Sequence, residues 1–207
     1  MFEKFYEFYK IDINENYGKK EKLSSIMKNV KGFKELFLNL QGRIFGKGEY
    51  RFYYFSEIDN WNKIIISLYP KFKNKLECFA SDWLGRQFVI YKENFKTEKI
   101  LMLDPASGDI FEIANDFVEF HENILLNNYD DCVAYNFFQE WLDSSVEEIS
   151  RNQCVGYKKP LFLGGKEDIG NLEIVDMEVY WYLNIQLFEK TKIMKKGSKI
   201  NKIEISK

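Results

Sequence analysis

The sequence predicts an α+β domain with a mainly antiparallel central sheet flanked by helices. Three observations predict it. Strand patterns cluster mid-chain, between about residues 76 and 113, and are joined by turn signals. Apolar residues at helical spacing precede and follow that cluster. The apolar fraction is 45% and aromatics make up 17%, which is ample for a core and too rich for disorder over most of the 207 residues.

Taken in order, residues 2 to 9 read as a short helix and Asn14 to Gly18 as a turn. Helices follow over about 20 to 30 and 33 to 40, broken by Gly32. Gly42, Gly46 and Gly48 mark a loop, and Tyr50 to Tyr54 fits a strand or part of that loop. Ser56 offers a hydroxyl cap with Asp59 three residues on. Trp61, Ile64, Ile65 and Leu68 then form a buried stripe, and Pro70 stops the helix. The meander comprises Leu76 to Ala80, Gln87 to Tyr91, Lys99 to Leu103 and Asp109 to Ile113. Its turns are Asp82-Trp83-Leu84-Gly85 and Asp104-Pro105-Ala106-Ser107-Gly108, where Pro fixes φ and Gly is free to take φ > 0.

Two helices are expected over about 116 to 127 and 131 to 143. The stretch from Cys154 to Trp181 reads as loop, short buried strand at Leu161 to Leu163, Gly164-Gly165 turn, polar excursion and capped helix. Asp176 sits where an N-cap belongs, with Glu178 in the first turn. Val179, Tyr180, Leu183 and Leu187 follow at helical spacing, giving a helix over 177 to 191. Beyond Lys192 the pattern fades into a frayed end or a weak strand at Ile200 to Ile205.

Composition argues against several kinds of chemistry. His121 is the single histidine, so Ser-His-Asp or Cys-His catalysis would have to use it; it reads as a surface or half-buried residue and no catalytic residue is assigned. Cys78, Cys132 and Cys154 are odd in number and far apart, without a C-x-x-C pair, as expected of reduced, partly buried thiols in a cytoplasmic protein. No metal site or cofactor is assigned: Asp104 and Asp109 flank one turn, where their usual work is hydrogen bonding. The glycine turns at 42 to 48 and 164 to 165 lack the Gly-Lys-Ser/Thr ending of a phosphate loop. No apolar run has the length of a membrane span, and the aromatic start MFEKFYEFYK reads as a packed helix with neither the basic start nor the apolar core of a signal peptide.

Charge is segregated although the net is only −2. From Asp104 to Ser150 there are twelve acids and no Lys or Arg; from Glu189 to Lys207 there are seven lysines and two acids. A concentrated acidic face steers cationic partners and raises their on-rate. The partner-binding candidates are Asp104, Asp109, Glu112, Asp116, Glu119, Glu122, Asp130 and Asp131, with Trp83, near a hairpin tip, as an aromatic anchor. The plainer alternatives are a solvated face for the acids and packing across the hairpin for Trp83. The lysine-rich end reads as solubilising, with no direct nucleic-acid contact.

Three blocks, Gly42-Arg43-Ile44-Phe45-Gly46 through Trp61, Leu101-Met102-Leu103-Asp104-Pro105 through Gly108-Asp109, and Cys154 through Trp181, resemble the SUKH superfamily of bacterial immunity proteins. The likeness is to the branch found as the C-terminal domain of immunity proteins paired with type VI secretion DNase effectors. It divides the chain into an N-terminal helical extension (1–35), a SUKH-like α+β domain (36–192) and a basic tail (193–207). It implies a non-enzymatic protein that binds and neutralises a cognate toxin with a basic active-site groove. The alternative it implies is a regulatory or scaffolding module, because related SUKH proteins in fungi are interaction hubs.

Overall fold

The structure, a computed structural model, describes residues 1–11, 22–94, 97–145, 147–192 and 194. The expected turn at Asn14 to Gly18, the basic tail apart from Met194, and the weak strand at Ile200 to Ile205 lie outside the described residues. Six strands form one antiparallel sheet in sequence order: β1 (Ile44–Phe45), β2 (Tyr50–Phe52), β3 (Leu76–Asp82), β4 (Gln87–Lys92), β5 (Glu98–Leu103) and β6 (Ile110–Ala114). The α+β expectation and the four-strand meander are borne out, and two short strands extend the sheet at its β1 edge.

The centre of the sheet is buried on both faces, since every residue of β3 is buried although successive side chains point to opposite sides. On one side Tyr50, Phe79 and Phe88 meet the rings of Phe117 and Phe120, and Phe52 meets those of Phe37 and His121. That layer contains α1 (Glu3–Phe8), α2 (Ser25–Lys28), α3 (Phe33–Leu40) and α5 (Phe117–Glu119). On the other side Tyr53 stacks on Trp61, which packs edge-on against Trp181. These side chains belong to the loop after β2, to α4 (Phe55–Leu68) and, for Trp181, to α9 (Met177–Thr191). Between α5 and α9 come a π-helical turn (Phe120–Ile124), α6 (Leu125–Asn127), α7 (Tyr129–Val133), α8 (Tyr135–Ser144) and the strands β7 (Gln153–Tyr157) and β8 (Leu172–Asp176). The two strands form an antiparallel hairpin of their own. The N-terminal helix joins the main core: Phe2 and Phe5 are buried and pack edge-on against His121.

Helix ends account for several boundaries. Helix α9 starts as expected, with Asp176 Oδ1 accepting the Val179 N–H at 3.0 Å. Helix α4 starts earlier than Ser56: Glu57 Oε2 accepts the Tyr54 N–H at 2.6 Å, and Gln41 Oε1 accepts that of Phe55. The carboxylate reaching back from the first turn takes the place of a hydroxyl cap.

Two expectations within the Cys154 to Trp181 block are corrected. Leu161–Leu163 is a half-buried 3-10 turn, held between Pro160 and Gly164. The strands there are Gln153–Tyr157 and Leu172–Asp176, read from the sequence as loop and polar excursion. Helix α9 buries Met177, Tyr180, Trp181, Asn184 and Ile185, so Tyr180 and Trp181 both lie in the core, while Val179 and Leu183 face outward.

Candidate partner-binding surface

The eight carboxylates are spread over the β5–β6 turn, strand β6 and helices α5 to α7, and most already have structural partners. Asp104 Oδ1 accepts the N–H groups of Ala106 and Ser107, the turn role expected of it. Glu112 pairs with Lys99 across the strands at 2.7 Å. Asp116 caps α5 through the Glu119 N–H, and Glu119 accepts the Asn115 N–H in return. Glu122 accepts the Phe5 N–H and so ties α1 to the π-helical turn. Asp130 accepts the Asn136 N–H at 2.7 Å. Asp109 and Asp131 are exposed and, among the described residues, have no side-chain partner. The same holds for Glu140 and Asp143 on α8. The Lys99 pairing shows why the count along the chain overstates the acidity of the surface: the neutralising lysine comes from a neighbouring strand.

Trp83 is no surface anchor. Its side chain is 0% exposed and donates its Nε1–H to the Val133 carbonyl at 2.8 Å. Its ring lies against Phe137, Phe138 and Trp141. The β3–β4 turn is thus plugged into a second, smaller core between α8 and the β7–β8 hairpin. A large aromatic at a hairpin tip reads as exposed until the element that covers the tip is known.

His121 is fully buried, which corrects the surface or half-buried reading. Nδ1 lies 2.8 Å from the Phe117 carbonyl, which can only accept, so Nδ1 carries the proton and Nε2 accepts from the Tyr50 hydroxyl at 3.1 Å. Burial pushes its pKa down to about 3, opposed by the Phe117 carbonyl, so the ring is neutral. All three cysteines are buried free thiols, and burial raises each above its ordinary value. Among the described residues no group of three metal-ligating side chains comes together, and no helix is long and apolar enough to cross a membrane.

The structure brings together a site that sequence reasoning missed. A cavity of about 460 Å³ opens beside the start of α9, lined by Tyr53, Trp61 and Met177 as its apolar wall and by Arg51, Arg151, Asp176 and Glu178 among its polar groups. Arg51 is 2% exposed and donates from Nη1 to the Gln153 carbonyl at 2.6 Å and from Nη2 to the Asp82 carbonyl at 2.9 Å. Burial lowers its pKa, yet a guanidinium stays charged at neutral pH. Arg151 pairs with Glu57 at 2.7 Å and lies over the Tyr54 ring. Asp82 is taken by Arg86 at 2.5 Å. The signal available in the sequence was one arginine amid Tyr50, Phe52 and Tyr53: a charge within an aromatic strand must find buried acceptors or reach the surface.

Residues 114–188 match the family described as T6SS immunity protein Tdi1, C-terminal. That span runs from the last residue of β6 into α9 and holds the third block of the resemblance; the first two lie outside it. Among solved structures the chain is similar to the crystal structure of Atu4351 from Agrobacterium tumefaciens, with a TM-score of 0.57 and 11% identity over 90% of this chain and 89% of that one. At that identity the likeness is one of fold. No curated protein matches the chain. The likeness read from the sequence to the C-terminal domain of type VI secretion immunity proteins is borne out over residues 114–188.

Proposed function

We propose that this chain, with its match to a type VI secretion immunity family, is a non-enzymatic protein that binds a cognate toxin and neutralises it by direct contact in the cytoplasm of the producing cell. The observation that carries the reading is the coincidence of that match with the acid-rich part of the chain. A toxin that cuts nucleic acid must hold a basic groove for phosphates, and carboxylates presented in their place would occlude it. The reading requires neither a cofactor nor direct contact with nucleic acid or membrane.

Asp104, Asp109, Glu112, Asp116, Glu119, Glu122, Asp130 and Asp131 all contribute to the field under this reading. The direct contacts fall to exposed acids whose side chains have no structural partner: Asp109 at the β5–β6 turn and, on α7 and α8, the three residues Asp131, Glu140 and Asp143. Replacing these three by Lys leaves the caps made by Asp116, Glu119, Glu122 and Asp130 in place. The triple variant is expected to fold normally, bind the toxin more weakly and show a flatter dependence of affinity on salt. Unchanged affinity would remove the acidic mechanism while leaving the family reading intact.

A further inference from the structure

Helix α9 is apolar on more than the side that faces the sheet. Val179, Tyr182 and Leu183 stand at i, i+3 and i+4, so they share one face. They are 54%, 46% and 36% exposed. All three lie inside the segment that matches the immunity family, which ends at residue 188 within α9. Scattered apolar residues on a surface need no explanation, but a row of three on one helix face is the pattern of a docking site.

The stripe adjoins the cavity at the start of the same helix, and charge at the cavity mouth selects the occupant. Asp176 accepts from the Val179 N–H and from Asn152 Nδ2, and Glu178 accepts from Asn60 Nδ2. Both carboxylates are therefore held by neutral amides, with no cation paired to either among the described residues. Of the cavity's cationic groups, Arg151 is paired with Glu57, and Arg51 is 2% exposed with both Nη atoms donating to backbone carbonyls, its Nε alone being without a partner. Trp61 and Met177 supply an apolar wall that suits the methylene stem of a long side chain.

We propose that Val179, Tyr182 and Leu183, together with the cavity mouth at Asp176 and Glu178, form a docking surface for a protein partner that presents an apolar residue beside a lysine or arginine. The basic side chain enters the cavity and its head meets the two carboxylates; the apolar residue covers the stripe. This rests on the immunity reading, with the toxin as the partner, and adds an apolar contact zone to the acidic one.

The test uses the full chain and the purified toxin encoded beside it. In a Val179→Asp/Leu183→Asp variant, affinity measured by calorimetry is expected to fall about 30-fold, as for loss of an interface anchor. The urea midpoint should not move, because both positions are exposed. Glu178→Gln should slow association and reduce its salt dependence. Wild-type binding that persists unchanged in both variants would overturn this surface and leave immunity standing. No binding by the wild type would instead defeat the immunity reading. A wild-type chain that is dimeric on its own and becomes monomeric in the double variant would assign the stripe to a second copy and overturn the proposal.

Discussion

Replacing Trp83 by Ala separates a core role from an interface role. The side chain is 0% exposed, its ring centroid lies 5.0 Å from that of Phe138 and 6.1 Å from that of Trp141, and its N–H is bonded to Val133. Truncating a buried tryptophan costs about 3–5 kcal/mol, including the cavity left behind. The orphaned Val133 carbonyl accounts for about 1 kcal/mol of that. Against a total stability of about 5–15 kcal/mol, this is a large share. Trp83→Phe retains a ring in the pocket and loses the N–H, so about 1–2 kcal/mol is expected. Urea unfolding followed by far-UV circular dichroism measures both losses, and toxin affinity is measured on protein shown to be folded. An exposed anchor would give the opposite pattern: stability within about 0.5 kcal/mol of wild type and binding lost. That result for Trp83→Ala would refute the burial argument.

His121 has a folded pKa of about 3, below its unfolded value of about 6.5, so the unfolded chain binds the extra proton between those limits. Its contribution to stability is therefore complete above pH 6.5 and declines toward pH 3, by at most about 1.4 kcal/mol per pH unit; urea midpoints of His121→Phe should lack this component. Gly85 has φ +77°, and an added Cβ would lie 2.8 Å from Cys154 Sγ. Gly85→Ala should cost about 1–2 kcal/mol for the left-handed backbone alone, with more from the contact, and a calorimetric midpoint equal to wild type would contradict this. Asp176→Ala removes the α9 cap and should cost about 1 kcal/mol by the same measurement.

Legibility followed how local the determining interactions are. The meander could be read because Leu76 to Ile113 carries apolar strands punctuated by Asp82 to Gly85 and Asp104 to Gly108. The cap at Asp176 lies three residues from the amide it binds. The β7–β8 hairpin was not legible because its reasons lie elsewhere in the chain. Gly156 occupies β7 where an added Cβ would come within 2.7 Å of the Tyr180 ring, and Val155 donates its N–H to the Trp83 carbonyl at 2.7 Å. A glycine after Cys154-Val155 reads as a loop until α9 is packed against it. Leu161 to Leu163 misled in the opposite direction: apolar residues between turn residues suggest a strand, but three residues held by Pro160 and Gly164 close into a single 3-10 turn.

At the candidate surface, residue types were legible and their employment was not. The twelve acids were countable, whereas their division into caps, a cross-strand ion pair and free carboxylates depends on Lys99, Phe5 and Asn136. The outward face of α9 escaped notice because an amphipathic helix is expected to bury the stripe containing Val179 and Leu183. The structure instead buries the side carrying Tyr180, Trp181 and Ile185: Trp181 packs on Trp61 of α4, and the Tyr180 hydroxyl accepts the Tyr157 N–H of the β7–β8 hairpin.

The most direct measurement of the central claim is co-expression with the product of the adjacent reading frame, scoring growth and the affinity of the purified complex at two salt concentrations. Rescue of growth by the wild type and a complex weakened by salt are expected. Binding should be weaker and less salt-sensitive when Asp131, Glu140 and Asp143 are all replaced by Lys. A toxic neighbour that is neither bound nor neutralised by the wild-type chain would contradict toxin neutralisation by this protein.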